Sequence, residues 1–429
     1  MSADARAAAP AAARVMRHRE FVALMAACQA MVAISIDVML PAFPDMREEF
    51  GLASDSTETA WVITAFFLGL AAGQLFYGPL SDRFGRKPPL YTGLGIMIVA
   101  ALASVFAPTL GLLIVCRVVW GVGAAAPRSI AMAMIRDTFS GNLMARTMSH
   151  VMSVFVLVPA FAPGMGSIVL VVLPWRAVFG IPLVAAAVVV LWLRRMPETL
   201  PVDRRRSTSP RALAEAAGAV VRTPQTIGFA IALTCVFGLM TAYIGSSEII
   251  IDEVFGREDQ FSLIFGVLAL FLACGAFLNA RLVMRLGLTR MLRYSACYLV
   301  GAAAFLAIVA AATGGTPPLL LFGLAMAVLL PVVTATTPNA NTAAMMPLPH
   351  VAGMAAALLG TVATGGGALL GSVIDARYDG TITPFANGVL VYSCIAALSI
   401  LVLGLRTARR SLVATPDAEG HLDLVPGGD

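Results

Sequence analysis

The stretch from Tyr294 to Ile374 contains no Asp, Glu, Lys or Arg. A bilayer demands about 20 mostly apolar residues for each helix that crosses it, and this stretch offers several such lengths in series. The rest of the chain is built the same way, as apolar runs broken by short clusters of charge. Of its 429 residues 59% are hydrophobic and 12% charged, against about 25% charged in an ordinary soluble domain. That balance excludes a soluble globular fold, which could not bury so much apolar surface. It excludes disorder as well, which needs charge and little apolar content.

Cutting the sequence at charges, Gly/Pro and polar clusters predicts twelve spanning helices: 20–42, 59–79, 89–107, 110–132, 147–171, 176–194, 226–250, 261–283, 291–313, 317–338, 352–374 and 384–406. The divisions after residue 291 rest on Gly314-Gly315, Pro317-Pro318, and Pro347 with Pro349. The first run follows Arg6, Arg14, Arg17 and Arg19, outlasts the core of a signal peptide and contains Asp37, so it reads as a retained span.

The net charge is +5, nearly every base is Arg, and Lys87 is the sole lysine. The bases cluster between apolar runs, which is the pattern of cytoplasmic loops and not of a nucleic-acid-binding face. With the N-terminus inside, the outer loops hold Arg47, Arg176, Arg257 and Arg377, Arg117 and Arg128 lie within a span, and the remaining bases are inside. Both termini are therefore expected in the cytoplasm. The six cysteines lie in apolar runs without CxxC spacing and the four histidines are scattered, so no metal or cofactor site is expected. No HExxH, no Ser/His/Asp set and no GxxxxGK[ST] loop occurs, so neither a membrane enzyme nor a nucleotide-driven pump is expected.

The longest hydrophilic segment, Arg194 to Gln225, contains Arg204-Arg205-Arg206 and divides the spans six plus six. The expected organisation is an N-terminal cytoplasmic tail 1–19, a six-helix bundle 20–195, a cytoplasmic linker 196–225, a second six-helix bundle 226–407 and a C-terminal cytoplasmic tail 408–429. The halves echo each other. Gly85 closes a basic loop after the second span, and Gly287, in Met284-Arg285-Leu286-Gly287, closes one after the eighth, 202 residues later (85 to 287). Two halves with a degenerate repeat suggest a transporter whose site lies at the midplane between them.

The loop after the second span reads Gly78-Pro79-Leu80-Ser81-Asp82-Arg83-Phe84-Gly85-Arg86-Lys87. Its Gly and Pro predict a tight inner turn, and Asp82 is placed to cap a neighbouring helix N-terminus and to pair with an Arg. It resembles the signature loop of the major facilitator superfamily, G-x-L-x-D-R-x-G-R-K. Cys116-Arg117-Val118-Val119-Trp120-Gly121-Val122-Gly123-Ala124-Ala125 is similar to that superfamily's R-x-x-x-G-x-G-A-A motif. Val158-Pro159-Ala160-Phe161-Ala162-Pro163-Gly164-Met165-Gly166 resembles the Gly/Pro motif of its drug:proton antiporter branch, with the first glycine displaced. Ile36-Asp37-Val38-Met39-Leu40-Pro41-Ala42-Phe43-Pro44 looks like the D-x-Y-L-P-A-x-P pattern of the Bcr/CflA drug-resistance group, with Met39 in place of tyrosine. Arg136-Asp137 and Trp175-Arg176-Ala177-Val178-Phe179 also resemble that group. The resemblance covers essentially the whole chain and departs most in the second half.

What the resemblance implies is an all-α integral membrane fold of two pseudo-symmetric six-helix halves. It also implies a proton-driven antiporter exporting small amphipathic drugs across the bacterial cytoplasmic (inner) membrane. Some relatives export phenicol antibiotics. The chain is expected to work as a monomer in the lipid bilayer, with a small-molecule drug and protons as its partners. The alternative is a proton-coupled transporter of one small metabolite, such as a sugar or an organic acid. Few polar residues and few intramembrane bases are available to bind one, which favours apolar, neutral or weakly cationic cargo.

A charge in hydrocarbon costs a few kcal/mol or more and usually faces a water-filled path. Asp37 is the expected carrier of the coupling proton, because protonation removes that penalty and biases one conformation. Arg117 either cross-links helices through carbonyls or sets the proton affinity of a nearby acid, and the resemblance supports the second. Gln29, two turns before Asp37, is a candidate for the substrate cavity or for helix packing. Gly78, Asp82, Arg83, Gly85, Arg86 and Asp137 are the expected conformational-switch loop. Pro159 and Pro163 should bend the fifth span, with Gly164 and Gly166 allowing close approach. Gly365-Gly366-Gly367 is read as a similar device in the second half. Asn339 and Asn341 read as packing or end-cap residues, and Glu248, Asp252 and Glu253 as solvated charges near the outer surface.

Overall fold

The structure is a computed structural model that describes residues 16–205 and 210–404. Most of the expected N-terminal tail, part of the linker and the expected C-terminal tail 408–429 lie outside the described residues. Among the described residues twelve helices are long and apolar enough to cross a membrane: α1 (His18–Glu49), α2 (Glu58–Phe84), α3 (Lys87–Val105), α4 (Leu110–Thr138), α5 (Gly141–Leu170), α6 (Trp175–Leu193), α7 (Pro224–Val254), α8 (Glu258–Leu286), α9 (Leu288–Ala312), α10 (Leu319–Met345), α11 (Gly353–Asp375) and α12 (Thr383–Leu403). A short helix, Pro210–Arg222, precedes α7.

The charge-free stretch divides at its glycines and prolines. α9 ends before Gly314 and Gly315, whose φ values of +61° and +87° suit glycine alone, and α10 starts after Pro317-Pro318. Several helices outlast their apolar runs, among them α4, α5 and α10. A hydropathy cut stops at the first polar cluster, whereas a helix continues into the headgroup region where such side chains are solvated.

Regular winding gives way in several spans, among them α1, α7 and α11. α1 is α-helical from His18 to Asp37, tightens to a 3₁₀ turn at Leu40–Ala42 and resumes at Phe43–Glu49. Pro41 and Pro44 lack the amide protons that a continuous helix would use there. α7 ends in a π turn, Ile250–Val254, and α11 is interrupted by another, Val362–Gly366.

The helices pair identically in the two halves. In the first, α1 packs on α4, α5 and α6, α4 on α2 and α3, and α3 on α6. In the second, α7 packs on α10, α11 and α12, α10 on α8 and α9, and α9 on α12. Between the halves, α5 meets α8 and α2 meets α11. Close approach needs small residues: a Cβ on Gly69 or Gly121 would collide with the backbone across the α2–α4 seam. Gly85 and Gly287 repeat each other in conformation. Each has φ and ψ near +93° and 169° or +78° and 157°, and each joins one helix to the next. That region is essentially open only to glycine.

Large apolar side chains such as Phe76, Val99, Phe106, Phe161, Ile168 and Ile308 are exposed, as a hydrocarbon solvent permits. The interior is asymmetric along its axis. On α1, Ala23, Ala27, Ala30 and Ile34 form an accessible stripe at helical spacing, while Ser35–Leu40 is wholly buried. On α7, Ile227, Ile231 and Thr234 are accessible, while Thr241–Ile251 is wholly buried. The two central helices therefore border a cleft open towards the Asp82–Arg86 loop and sealed at the other end.

Candidate functional site

Asp37 closes the α-helical part of α1, immediately before its break, and is 3% exposed. Among the described residues no hydrogen bond or ion pair reaches its carboxyl. Tyr243 stands on α7, in the other half. The Tyr243 hydroxyl is itself buried without a hydrogen-bond partner among the described residues, and its ring stacks on Phe265 at 5.3 Å.

Arg117 on α4 is completely buried. It does not pair with Asp37. Its Nη2 donates to the Ser35 carbonyl at 2.8 Å and its Nε to the Val62 carbonyl at 3.2 Å, so it ties α4 to α1 and α2. Its guanidinium lies over the rings of Phe66 at 4.6 Å and Trp120 at 4.8 Å, where the ring quadrupoles attract a cation. Nη1 has no partner among the described residues. The arginine thus grips α1 two residues before Asp37, and an unspent donor remains.

Gln29 does not face the cleft. It is 3% exposed and donates from Nε2 to the Arg128 carbonyl at 2.8 Å, tying α1 to α4. Arg128 itself reaches the Phe155 ring of α5. Asn339 bridges α10 to α8 through Asn279 Oδ1 at 2.7 Å, and Asn341 is exposed.

The expected switch loop is partly a loop and partly helix. Gly78 and Pro79 lie inside α2, and the turn falls only at Gly85. Pro79 removes one amide proton, yet Ser81 Oγ donates to the Gly78 carbonyl at 2.9 Å and the helix continues. Arg86 is the hub. Its Nη1 donates to Asp82 Oδ1 at 2.5 Å and to Ser81 Oγ at 2.8 Å, and its Nε donates to Asp137 Oδ2 at 2.7 Å. Burial pulls the Arg86 pKa down, but hydrogen bonds and charge from Asp137 and then Asp82 hold it above the usual arginine value. Arg83 stands outside this network, exposed, over the Phe84 ring.

The cap on the start of α3 is Glu198 and not Asp82. Its carboxylate accepts from the Arg86 and Lys87 amides at 2.8 and 3.0 Å, the favourable place for an anion. Gly85 has no room for a side chain beside Glu198. No member of this cluster comes from the second bundle. It locks α2, α3, α4 and the start of the segment after α6 together, and it forms while the cleft is open beside it.

In α5, Pro159 and Pro163 lie within a continuous helix. Gly166 meets the Val38 carbonyl and Pro41 so closely that a Cβ would collide, whereas Gly164 faces open space. Only Gly166 is therefore required for the approach of α5 to the break in α1. In α11, Gly366 and Gly367 lie against Thr234 and Phe237 of α7.

No local pattern in the sequence marks the seal at the far end. Arg47 is 3% exposed and Glu248 2%. Arg47 Nη1 and Nη2 donate to Glu248 Oε2 and Oε1 at 2.9 and 2.7 Å, joining α1 to α7 across the halves. Glu248 is thus not a solvated surface charge. The repeat offset could have found the pair: they stand 201 residues apart, within one residue of the separation of Gly85 and Gly287. Asp252, Glu258 and Asp259 border the same end, beside a cavity of about 300 Å³ shared with Pro41, Pro44 and Ser167.

A sequence model described as Major Facilitator Superfamily matches residues 25–372. A bicyclomycin resistance protein homolog of Haemophilus influenzae is 28% identical, over 89% of this chain and 96% of its own. A chloramphenicol resistance protein of Pseudomonas aeruginosa is 27% identical, over 94% of this chain and 93% of its own. The fold is that of a solved D-xylose-proton symporter, with a TM-score of 0.73 at 13% identity, covering 90% of this chain and 97% of that one.

Proposed function

The chain belongs to the major facilitator superfamily, and from that premise we propose that it is a proton-driven antiporter exporting small amphipathic drugs or antibiotics across the bacterial cytoplasmic membrane by alternating access. The resistance proteins it resembles support the cargo class. The observation that carries the coupling is Asp37: a buried carboxyl without a charge partner among the described residues, at the break of α1. An unpaired carboxylate in hydrocarbon is costly, so binding and releasing a proton there changes which conformation is favoured.

On the positive-inside reading of the basic loops, the Asp82–Arg86 end and both termini lie in the cytoplasm. The domain limits 20–195 and 226–407, with the linker 196–225, follow the same reading. The conformation is then inward-open, with Arg47–Glu248 closing the outer side. In the outward-open state that pair separates, and the inner ends of the halves close. The Asp82–Arg86–Asp137 cluster serves as a rigid end-plate of the first half, keeping α2 and α4 together while the halves rock. Arg117 holds α1 in register with α4, and Gly166 lets α5 follow the bend. Gln29 belongs to this packing.

Efflux of radiolabelled chloramphenicol from a pump-deficient host tests the proposal. Expression should lower accumulation, and an uncoupler should abolish the difference. Expression that changes neither chloramphenicol accumulation nor resistance to a wider drug panel would count against drug export.

A further inference from the structure

A second buried acid stands on α11. Asp375 is 4% exposed, and its Oδ1 accepts a hydrogen bond from Ser246 Oγ of α7 at 2.6 Å. Its position depends on a missing side chain: a Cβ on Gly245 would run into the carboxylate. The seam around it is tight. Gly238 packs against Gly367, and Thr241 Oγ1 donates to the Gly367 carbonyl at 3.0 Å and crowds Gly371. The first and fifth helices of each half meet in the same manner. In the first half Gly166 of α5 lies against Val38 of α1; in the second, Asp375 of α11 lies against Gly245 of α7.

Among the described residues no cation pairs with Asp375. From α7 it meets Ser246, with the paired Glu248 further along. From α12 the phenol of Tyr392 donates to the Leu370 carbonyl at 3.0 Å. Beyond the end of α11, Arg377 is exposed and makes no salt bridge to it among the described residues. One hydroxyl donor is poor compensation for an ionised carboxylate taken from water. Glu248, by contrast, has the whole guanidinium of Arg47.

We propose that Asp375 is a second proton-binding site of this protein, distinct from Asp37. The proton adds to Oδ2, the oxygen that Ser246 leaves free, and departs from it as the carboxylate re-forms. Asp375 lies against Gly245 and Ser246 of α7, so its proton state bears on that stretch of the helix. This rests on the antiporter reading for what the second proton does, though not for its existence.

Infrared spectroscopy of the full chain in liposomes, titrated with pH and without any drug, reads protonated carboxyl groups directly. The wild type should show carbonyl-stretch absorbance from buried acids. Asp375→Asn should lose one component, Asp37→Asn a different one, and Asp375→Glu should keep its component at a shifted frequency. Asparagine preserves shape and can still accept from Ser246, so the fold should be retained. An unchanged carbonyl region in Asp375→Asn overturns the site, even if Asp37→Asn abolishes transport. A lost component in vesicles that move no drug with pH leaves the site standing and refutes the antiporter reading instead.

Discussion

Arg47 and Glu248 form a bidentate ion pair between α1 and α7, with both side chains almost wholly buried. They occupy near-equivalent positions of the two halves with opposite charge, so the internal repeat brings them face to face at the end away from the Asp82–Arg86 loop. Breaking a buried pair by removing one partner strands the other charge, at a cost of about 3–5 kcal/mol, whereas apolar replacement of both can be neutral.

Arg47→Met and Glu248→Met should each destabilise the closed outer side and slow transport, and the double variant should recover much of the loss. Reactivity of a cysteine placed near Ser167 towards an impermeant external reagent reports this opening. Single and double variants with equal reactivity would show that the pair does not seal the outer side.

The loop cluster predicts a graded response. The Asp137 side chain is 17% exposed and that of Asp82 48%, so solvent screens the second pair more. Asp137→Asn should reduce transport more than Asp82→Asn, with both proteins inserted at wild-type levels. Unaltered efflux kinetics in Asp137→Asn would remove the cluster from the mechanism.

Gly166 and Gly164 give a contrast within one helix. Gly166→Ala forces a Cβ into the Val38 carbonyl, an overpacking worth about 1–3 kcal/mol, and should impair transport or thermal stability. Gly164→Ala meets nothing and should leave both intact. Equal tolerance of the two in a melting assay of purified protein would contradict the packing.

Orientation follows from labelling in a background lacking the six native cysteines. A cysteine within 200–215 should react only from the cytoplasmic side, and one within 375–380 only from outside. Labelling of both from one side would break the topology.

Much of the fold was legible because bilayer thickness dictates helix length. Every one of the twelve runs became a helix, and even the charge-free stretch divided at Gly314-Gly315 and Pro317-Pro318. The site was less legible. Asp82, Arg86 and Asp137 could be grouped by sign and by common depth, but Glu198 is brought to the α3 start only by the fold. Gln29 and Gly164 carry no local mark that separates packing from cavity. Arg47 looked like an outer-loop base because its partner lies in the other half. Asp375 escaped notice because it falls one residue beyond the predicted limit of its span, and its Gly367, Gly371 and Asp375 spacing makes sense only against α7.

Asp37 is the centre of the account, and drug accumulation in membrane vesicles under an imposed pH gradient tests it most directly. The wild type should concentrate chloramphenicol in proportion to the gradient. Asp37→Asn should lose the gradient-driven component while still binding drug. Full pH-driven accumulation by Asp37→Asn would contradict the assignment and place the essential proton elsewhere.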